Sequence, residues 1–187
     1  TQHNYHSLMD HVGSGKEWDL SRKQDGLFVL PPFVTNQNPG MYRGTLDALG
    51  GVMSYIRRSS QEYVLIIDDT AVYNTAFRKM MEYHLEQKAD ITVLYQQERP
   101  HEAVLSEGVT RVYLYTSEEG RVWDIEVNAA SPKTRLVSLG AYILGKALLM
   151  RIIEECVARD RHDFIRDVLI RRMNDLRIFA FGHKGVA

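Results

Sequence analysis

The hydrophobic and polar positions of this chain follow two different periods. Apolar residues recur at helical spacing over 46–56, 77–85 and 148–156, which predicts three amphipathic helices. Continuous apolar runs at Tyr63 to Ile67 and Ile91 to Tyr95 are short enough to be buried strands. The order strand, helix, strand therefore predicts a βαβ unit, with the first of these strands in the centre of a parallel sheet.

The second half of the chain carries a different pattern. Val112 to Tyr115 and Val122 to Ile125 alternate around a polar turn at 117–120, which predicts a hairpin. Leu136 to Leu144 and Ile178 to Phe181 predict two further strands. Together these elements predict an α/β fold, in which helices flank a mixed sheet and the hairpin is an antiparallel excursion.

Prolines and glycines refine these predictions. Tyr5 to Val12 predicts a short helix, and the apolar run Leu27 to Leu30, stopped by Pro31-Pro32, predicts a strand that leaves the sheet. Gly50-Gly51 falls inside the helix predicted over 46–56 and costs that helix roughly 1 kcal/mol per glycine. We therefore expect this helix to pack closely on the sheet at the two glycines.

Composition and motifs exclude several classes of function. The 187 residues carry a formal net charge of −1, which gives no electrostatic reason to expect nucleic acid as a partner. Cys156 is the only cysteine, so an internal disulfide is ruled out and a reducing cytoplasm is the expected location. No apolar run approaches the length of a membrane span, so we expect no membrane association. The histidines lack zinc-binding spacing, and no nucleophile motif is present.

A glycine turn ahead of the helix predicted over 46–56 is the first candidate site. In an open α/β sheet, ligands bind beyond the carboxyl ends of the strands, and Tyr42-Arg43-Gly44-Thr45 is a turn of the kind found there. Backbone amides at the helix N-terminus could hold an anion or the polar edge of a ligand. Taken by themselves, the residues favour a simpler interpretation, a loop in which Thr45 caps the helix.

Two pairs of acidic residues are the other candidates. Asp68-Asp69 follows a predicted buried strand, where carboxylates commonly hold Mg²⁺ and bridge it to phosphates. Solvated acids in a turn are an equally good interpretation of the spacing. Asp163 and Asp167 lie one helical turn apart and could share a face, although a helix cap and an exposed acid explain them as well.

A series of short motifs runs across nearly the whole chain: His6-Ser7-Leu8, Gly13-x-Gly15-Lys16-x-Trp18-Asp19-Leu20, Leu30-Pro31-Pro32, Tyr42-Arg43-Gly44-Thr45-x-Asp47-Ala48, Glu62-Tyr63-Val64, Ser138-x-Gly140-x-Tyr142, His162-Asp163-Phe164 and Asp167. In this order and spacing they resemble the glucose-1-phosphate adenylyltransferases of bacterial glycogen synthesis. Residues 7–11 and 13–16 are especially similar to the regulatory, D-type branch of that family.

The resemblance implies a fold and an activity. The fold is a Rossmann-like, GT-A-like nucleotidyltransferase domain covering residues 1–187. We expect this domain to be incomplete at its N-terminus and to lack the β-helix domain that follows it in the family. Members join ATP and glucose 1-phosphate into ADP-glucose and pyrophosphate, with Mg²⁺ neutralising the developing charge.

The resemblance also assigns roles to residues of this chain. Nucleotide contacts are expected from the turn before the first long helix, sugar-phosphate contacts from the later strands, and metal contacts from the acids. The expected nucleotide residues are Tyr42, Gly44, Thr45 and Asp47. The expected sugar-phosphate residues are Asn128, Ser138 and Gly140. The expected metal residues are Asp167 and either Asp68 or Asp69.

Two departures from the family pattern concern charge. Thr70 stands where catalytic members have the metal-binding aspartate, and a hydroxyl lacks the anionic oxygen that Mg²⁺ prefers. Asn128 stands where those members have a lysine that contacts the sugar phosphate, so a neutral amide replaces a cation. The family's glycine-rich triphosphate loop would lie ahead of Thr1. No intact set of catalytic residues is therefore expected.

These departures lead to a hypothesis about function. The chain is a regulatory, catalytically weak or inactive subunit that works with a catalytic subunit in a hetero-oligomer, expected to be a tetramer. A nucleotide or sugar-phosphate ligand remains possible in its cleft. Two alternatives stay open: an active Mg²⁺-dependent nucleotidyltransferase, and an assembly subunit that binds no ligand.

Overall fold

The structure is a computed structural model, and its contacts divide the chain into two compact units, residues 1–40 and 41–187. The residues that it describes are 5–22, 26–30, 42–68, 74–98 and 110–183.

The described residues of the first unit, 5–22 and 26–30, contain one helix and one short 3-10 turn, Lys16–Trp18. Helix α1 spans Tyr5–Val12, as predicted, and the Gly13 amide closes it by donating to the Met9 carbonyl at 2.8 Å. Residues 27–30 form no strand, and Phe28, Val29 and Leu30 are exposed, so the predicted strand was wrong. The amide of Leu27 donates to the carbonyl of Leu20 at 2.8 Å, a contact that belongs to no strand ladder.

The second unit is an α/β structure built on a six-stranded mixed sheet. Its strands are β1 Tyr63–Ile67, β2 Ile91–Gln97, β3 Val112–Thr116, β4 Val122–Val127, β5 Leu136–Gly145 and β6 Ile178–Gly182. Its helices are α2 Thr45–Gly51, α3 Met53–Arg58, α4 Phe77–Glu86, α5 Lys146–Val157 and a π-helix at Ile165–Ile170. The predicted α/β class, mixed sheet and hairpin are confirmed.

Strand β5 organises the sheet. It pairs antiparallel with β1, β2 and β3, and β2 in turn pairs parallel with β6. The prediction that β1 is a central parallel strand was wrong, because β5 is its partner and the two run in opposite directions. Strands β1 and β2 do run parallel to each other, as the βαβ prediction requires, but β5 lies between them.

The core has two parts, one on each face of the sheet. The larger cluster includes Tyr142 and Leu144 of β5, together with Leu149 and Ile152 of α5. Cys156 is fully buried in this cluster, and burial raises the pKa of its thiol. The smaller cluster lies under α4. None of the helices in the described ranges has the length and apolar character needed to cross a membrane.

The helix predicted over 46–56 is two helices, which meet at Val52. A Cβ at Gly50 would contact Ile153 and Val157 of α5 at 3.6 and 3.5 Å. One at Gly51 would lie 2.8 Å from the hydroxyl of Tyr42. The two glycines therefore allow close packing against a helix and a tyrosine ring, and the expectation that they pack on the sheet was wrong.

Candidate functional site

The turn before α2 is joined to the loop after α5 through the backbone. Gly44 is the N-cap of α2, the residue just before its first turn. The amide of Leu46 donates to the carbonyl of His162 at 3.0 Å. A Cβ on Gly44 would overlap that same carbonyl. A glycine is therefore required at position 44 because two backbone segments touch there.

Asp47 is the centre of the polar contacts at this turn. Its side chain is only 9% exposed, and its Oδ1 lies 2.6 Å from Nδ1 of His162. Its Oδ2 accepts hydrogen bonds from the amide and from Nε of Arg43, at 3.1 and 3.2 Å. Burial alone would raise the pKa of Asp47, but the bonds from His162 and Arg43 outweigh burial and lower it. Asp47 is therefore an ionised carboxylate held within the turn.

The surroundings of Asp47 decide what the turn can bind. The amide of Leu46 is already used, and Asp47 itself places a negative charge at the start of α2. Thr45 is the first helical residue, so the prediction that it caps the helix was wrong. Of the two predicted uses of this turn, the polar edge of a ligand suits it and an anion does not, because an anion would meet Asp47.

Two polar atoms beside this turn lack hydrogen bonds. The buried hydroxyl of Tyr42 has no partner among the described residues, and neither has Nε2 of His162. That nitrogen lies 3.2 Å from Oδ1 of Asp160 without forming a hydrogen bond. Buried polar atoms without partners are rare in folded proteins. The hydroxyl of Tyr42 lies against Gly51, at the other end of α2 from the turn.

The acids that follow His162 have local roles. Asp163 caps the next helix, as predicted, because its Oδ1 accepts the amide of Arg166 at 2.8 Å. Oδ2 of Asp167 accepts the amides of His162 and Asp163, both at 3.1 Å. The carboxylate of Asp167 therefore holds the loop of His162 in place, and one of its oxygens is already committed.

A second group of predicted residues meets at the end of β1. The amide of Asp68 donates to the carbonyl of Gly140 at 2.9 Å. Gly140 has a φ of +72°, and a Cβ there would lie 2.7 Å from Cβ of Asp68. The hydroxyl of Ser138 accepts the amide of Gly140 at 3.2 Å. Asp68, Ser138 and Gly140 thus lie together, whereas Asp69 and Thr70 are outside the described residues.

Asn128 closes the open end of the hairpin. Its φ is +52°, its Oδ1 accepts the amide of Arg111 at 2.8 Å, and its own amide donates to the carbonyl of Arg111 at 2.9 Å. The guanidinium of Arg111 pairs with Glu98 at 2.5 Å. Because Tyr113 pairs with Val137, the start of β3 lies beside the segment of β5 that leads to Gly140.

One face of the sheet carries both groups of residues. The rings of Tyr142 and Phe164 lie 5.1 Å apart, so the loop after α5 covers β5 at Tyr142. Tyr142 pairs with Val93 and Ser138 pairs with Tyr95. Because Val93 and Tyr95 are two residues apart in β2 and share a face, Ser138 lies on the same side as Tyr142. The predicted nucleotide residues and sugar-phosphate residues therefore belong to one side of the fold.

A magnesium ion requires a particular set of ligands. Mg²⁺ prefers oxygen ligands in near-octahedral geometry, usually one or two carboxylates with water and phosphate. In the part of the chain that the structure describes, no three acidic, histidine or cysteine side chains come together. Oδ2 of Asp167 already accepts two amides, and Asp69 lies outside the described residues. The described side chains alone therefore do not make a complete set of magnesium ligands.

A family model described as "Nucleotidyl transferase" matches residues 1–183. The chain belongs to the nucleotidyl transferase family. The chain is similar to proteins named glucose-1-phosphate adenylyltransferase: it is 33% identical to the one from Thermotoga neapolitana and 30% identical to the one from Thermosipho africanus. It is 31% identical to the protein of that name from Halalkalibacterium halodurans. The matches cover 99% of this chain and 44 to 48% of each relative, so the chain spans about half their length.

Three contacts of the chain were not foreseen from its sequence. They are the pairing of His162 with Asp47, the ion pair of Arg43 with Asp160, and the ion pair of Arg111 with Glu98. The first two join residues more than 100 positions apart, and the third joins residues 13 positions apart. No local spacing signals such pairs, although His162 and Asp47 both belong to motifs that carry the family resemblance.

Proposed function

We propose that the chain is the nucleotidyltransferase region of a regulatory subunit of glucose-1-phosphate adenylyltransferase, with little or no activity of its own. The subunit acts in glycogen biosynthesis, in the cytoplasm. The relatives support the reaction, which joins ATP and glucose 1-phosphate into ADP-glucose and pyrophosphate. The proposal that this subunit is regulatory rests on the charges of its cleft.

The conformation of Asn128 is the observation that carries the proposal. A lysine here would supply a mobile cation for a phosphate, but Asn128 turns its side-chain oxygen back onto the amide of Arg111. Asparagine is among the residues that most readily adopt a positive φ, so position 128 suits a structural turn. The nearby cation, Arg111, is paired with Glu98 and is 19% exposed. A doubly charged sugar phosphate would therefore meet a neutral amide at position 128 and a paired guanidinium at position 111.

The residues that would hold magnesium support the same conclusion. Activity in this family would need Mg²⁺, which stabilises charge on the transferred phosphate when it is bound. Thr70 offers a hydroxyl where a carboxylate is expected, and Asp167 holds the loop of His162. Asp68 is the remaining described candidate from the sequence. Binding of the metal at this cleft is expected to be weak.

The turn of Tyr42 and Gly44 supports a retained ligand pocket. The hydroxyl of Tyr42 lies against Gly51 at the end of α2, and Nε2 of His162 lies near the turn. Both are buried without hydrogen-bond partners in the described structure. A nucleotide base that reaches either atom could bond to it with its polar edge. By binding there without reaction, a ligand would bias a catalytic partner in a hetero-tetramer, through a coupling of typically about 1–3 kcal/mol.

The test restores the two missing charges in the full-length protein. Pyrophosphate release from ATP and glucose 1-phosphate is measured for the wild type and for the double variant Thr70→Asp, Asn128→Lys. The matched control pairs Thr70→Asp with Asn174→Lys, because Asn174 is exposed. Turnover is expected in the double variant alone. Equal, ordinary turnover in the wild type contradicts the proposal.

Calorimetry separates a regulatory subunit from a scaffold. The wild-type protein is titrated with ATP and, separately, with glucose 1-phosphate. Saturable binding of ATP that Tyr42→Phe weakens supports the pocket at the turn. No binding of either compound favours an assembly subunit that binds no ligand.

A further inference from the structure

A second cleft lies beside α4, and no residue of the Gly44 turn lines it. It has a volume of about 750 Å³, which is within the range of small-molecule sites. Helix α4 forms one side, the turn of the β3–β4 hairpin forms the other, and the ends of β2 and β6 form the floor. The core cluster under α4 contains Met80 and Leu94, whereas Tyr142 belongs to the cluster on the other face.

The position of this cleft in the fold is that of a ligand site. Strands β2 and β6 are adjacent and parallel, with Ile91 opposite Ile178. The cleft opens where both strands end, at Gln97 and His183. Ligands in α/β proteins bind outside the carboxyl ends of parallel strands, because the connections diverge and leave a crevice there.

Aromatic rings form the apolar part of the cleft. Tyr83 of α4 and Phe181 of β6 have ring centroids 5.4 Å apart, and Tyr95 of β2 lines the floor. Burial raises the pKa of Tyr83, so its phenol is neutral at physiological pH. A Cβ on Gly182 would lie 3.1 Å from the hydroxyl of Tyr95, so the glycine keeps the floor open. Such walls favour a flat ring.

Positive charge and an unused nitrogen lie at the same cleft. Lys79 is in the first turn of α4, where the helix dipole is also positive, and it forms no ion pair within the described ranges. The backbone of His183 is fixed by a 2.6 Å hydrogen bond from its amide to the carbonyl of Tyr95. Its Nδ1 is buried, and no described residue offers it a partner.

The acidic residues at the rim are partly engaged. Glu119 accepts the hydroxyl of Ser117 at 2.7 Å, and this bond lowers the pKa of Glu119. The hydroxyl of Tyr83 donates to the backbone carbonyl of Glu119 at 3.4 Å. Glu118 is exposed. The negative charges therefore lie on the hairpin turn, across the cleft from Lys79 on α4.

We propose that this cleft binds a small aromatic anion, a flat ring that carries a carboxylate or a phosphate. The ring lies against Tyr83 and Phe181, and the anionic group meets Lys79 and Nδ1 of His183. The site is separate from the Gly44 turn, and the proposal does not depend on whether the subunit is regulatory.

The test uses naphthalene derivatives as probes of this chemistry. The purified protein is titrated calorimetrically with 2-naphthoate, with 2-naphthyl phosphate and with the uncharged 2-naphthalenemethanol. The variant is Lys79→Gln, and the matched control is Lys88→Gln, an equally exposed lysine beyond the other end of α4. Because both lysines are exposed, neither substitution is expected to affect folding.

The expected result is saturable binding of at least one of the two anions and weaker binding of the neutral compound. Lys79→Gln weakens the binding of the anion by roughly fivefold, the upper end for an exposed charge pair, and Lys88→Gln leaves it unchanged. The tighter of the two anions shows whether the cleft prefers a carboxylate or a phosphate. The proposal is overturned if neither anion binds, or if the two lysine variants bind alike.

Discussion

Nδ1 of His162 lies 2.6 Å from Oδ1 of Asp47, and this contact joins two segments that are 115 residues apart in the chain. Asp47 belongs to α2 and His162 to the loop after α5. The same pair of segments is joined a second time, by the bond from Leu46 to the carbonyl of His162. The shape of the Tyr42–Asp47 turn therefore depends on how the loop after α5 is held.

Replacing Asp47 by asparagine is expected to destabilise the protein by about 1–3 kcal/mol, because charged hydrogen bonds to His162 and Arg43 are lost in a buried place. Urea unfolding followed by circular dichroism measures the change. Asp175→Asn is the control, since Asp175 is exposed, and it should differ from the wild type by less than about 0.5 kcal/mol. Equal effects of the two substitutions would show that Asp47 is not the centre of this turn.

Replacing Gly44 by alanine is expected to cost about 1–3 kcal/mol or more, because the new methyl group overlaps the carbonyl of His162 and two backbone segments must separate. Gly145→Ala is the control: no atom lies within 4 Å of a Cβ there. The free energy of unfolding checks both variants. If Gly44→Ala is as stable as Gly145→Ala, the close approach of the two segments is wrong.

Because His84 is buried, we expect the folded protein to lose stability in mild acid. Burial lowers its pKa, although the charge of Asp90 acts in the opposite direction, and its Nδ1 lies 2.7 Å from the hydroxyl of Thr92. The folded protein therefore holds His84 neutral. The stability that neutral His84 contributes is fully present above the pKa of about 6.5 that this histidine has in the unfolded chain. It is lost as the pH falls through the lower pKa that His84 has in the folded protein.

Melting temperatures between pH 8 and pH 5 test this prediction. Wild-type stability should fall over that range more steeply than that of His84→Gln, which cannot titrate. The lowered pKa of Asp47 acts only near pH 4 and below, so it does not overlap with the effect of His84. Parallel curves for the two proteins would rule out His84 as the source. Lys88 and Arg177 line the same shallow cavity as His84, and their positive charges oppose the protonation of His84.

Position 128 is expected to prefer glycine over alanine. Alanine loses the bond to the amide of Arg111 and must also adopt a φ near +52°, for a total cost of about 2 kcal/mol. Glycine loses the bond alone, at about 1 kcal/mol. Chemical denaturation of Asn128→Ala and Asn128→Gly ranks them. If alanine is the more stable of the two, Asn128 does not have the structural role proposed for it.

The sequence predicted the elements of the fold better than their pairing. Helices α1, α4 and α5 and the hairpin have clear periods, so their positions were predictable. The partner of β1 was not, because β5 enters between β1 and β2 from far along the chain. Gly50-Gly51 likewise indicated a close approach, but the packing partners, α5 and Tyr42, were set by tertiary structure.

The sequence predicted which motifs belong to the candidate site, but it did not predict the contacts between their side chains. The family pattern groups Tyr42, Gly44 and Asp47 in one motif. The contact of Asp47 with His162 could not be inferred, because spacing carries no information about pairs so distant in sequence. Asp167, which the resemblance assigned to the metal, illustrates the same limit. Two backbone amides donate to its carboxylate, and these bonds depend on the shape of the loop.

Turnover by the full-length subunit on its own tests the central claim most directly. Pyrophosphate release is measured with ATP, glucose 1-phosphate and Mg²⁺, with the catalytic partner absent and then present. We predict no release above background from the subunit alone, and a changed response of the partner to its ligands when both are mixed. Release at an ordinary enzymatic rate from the subunit alone would contradict the account.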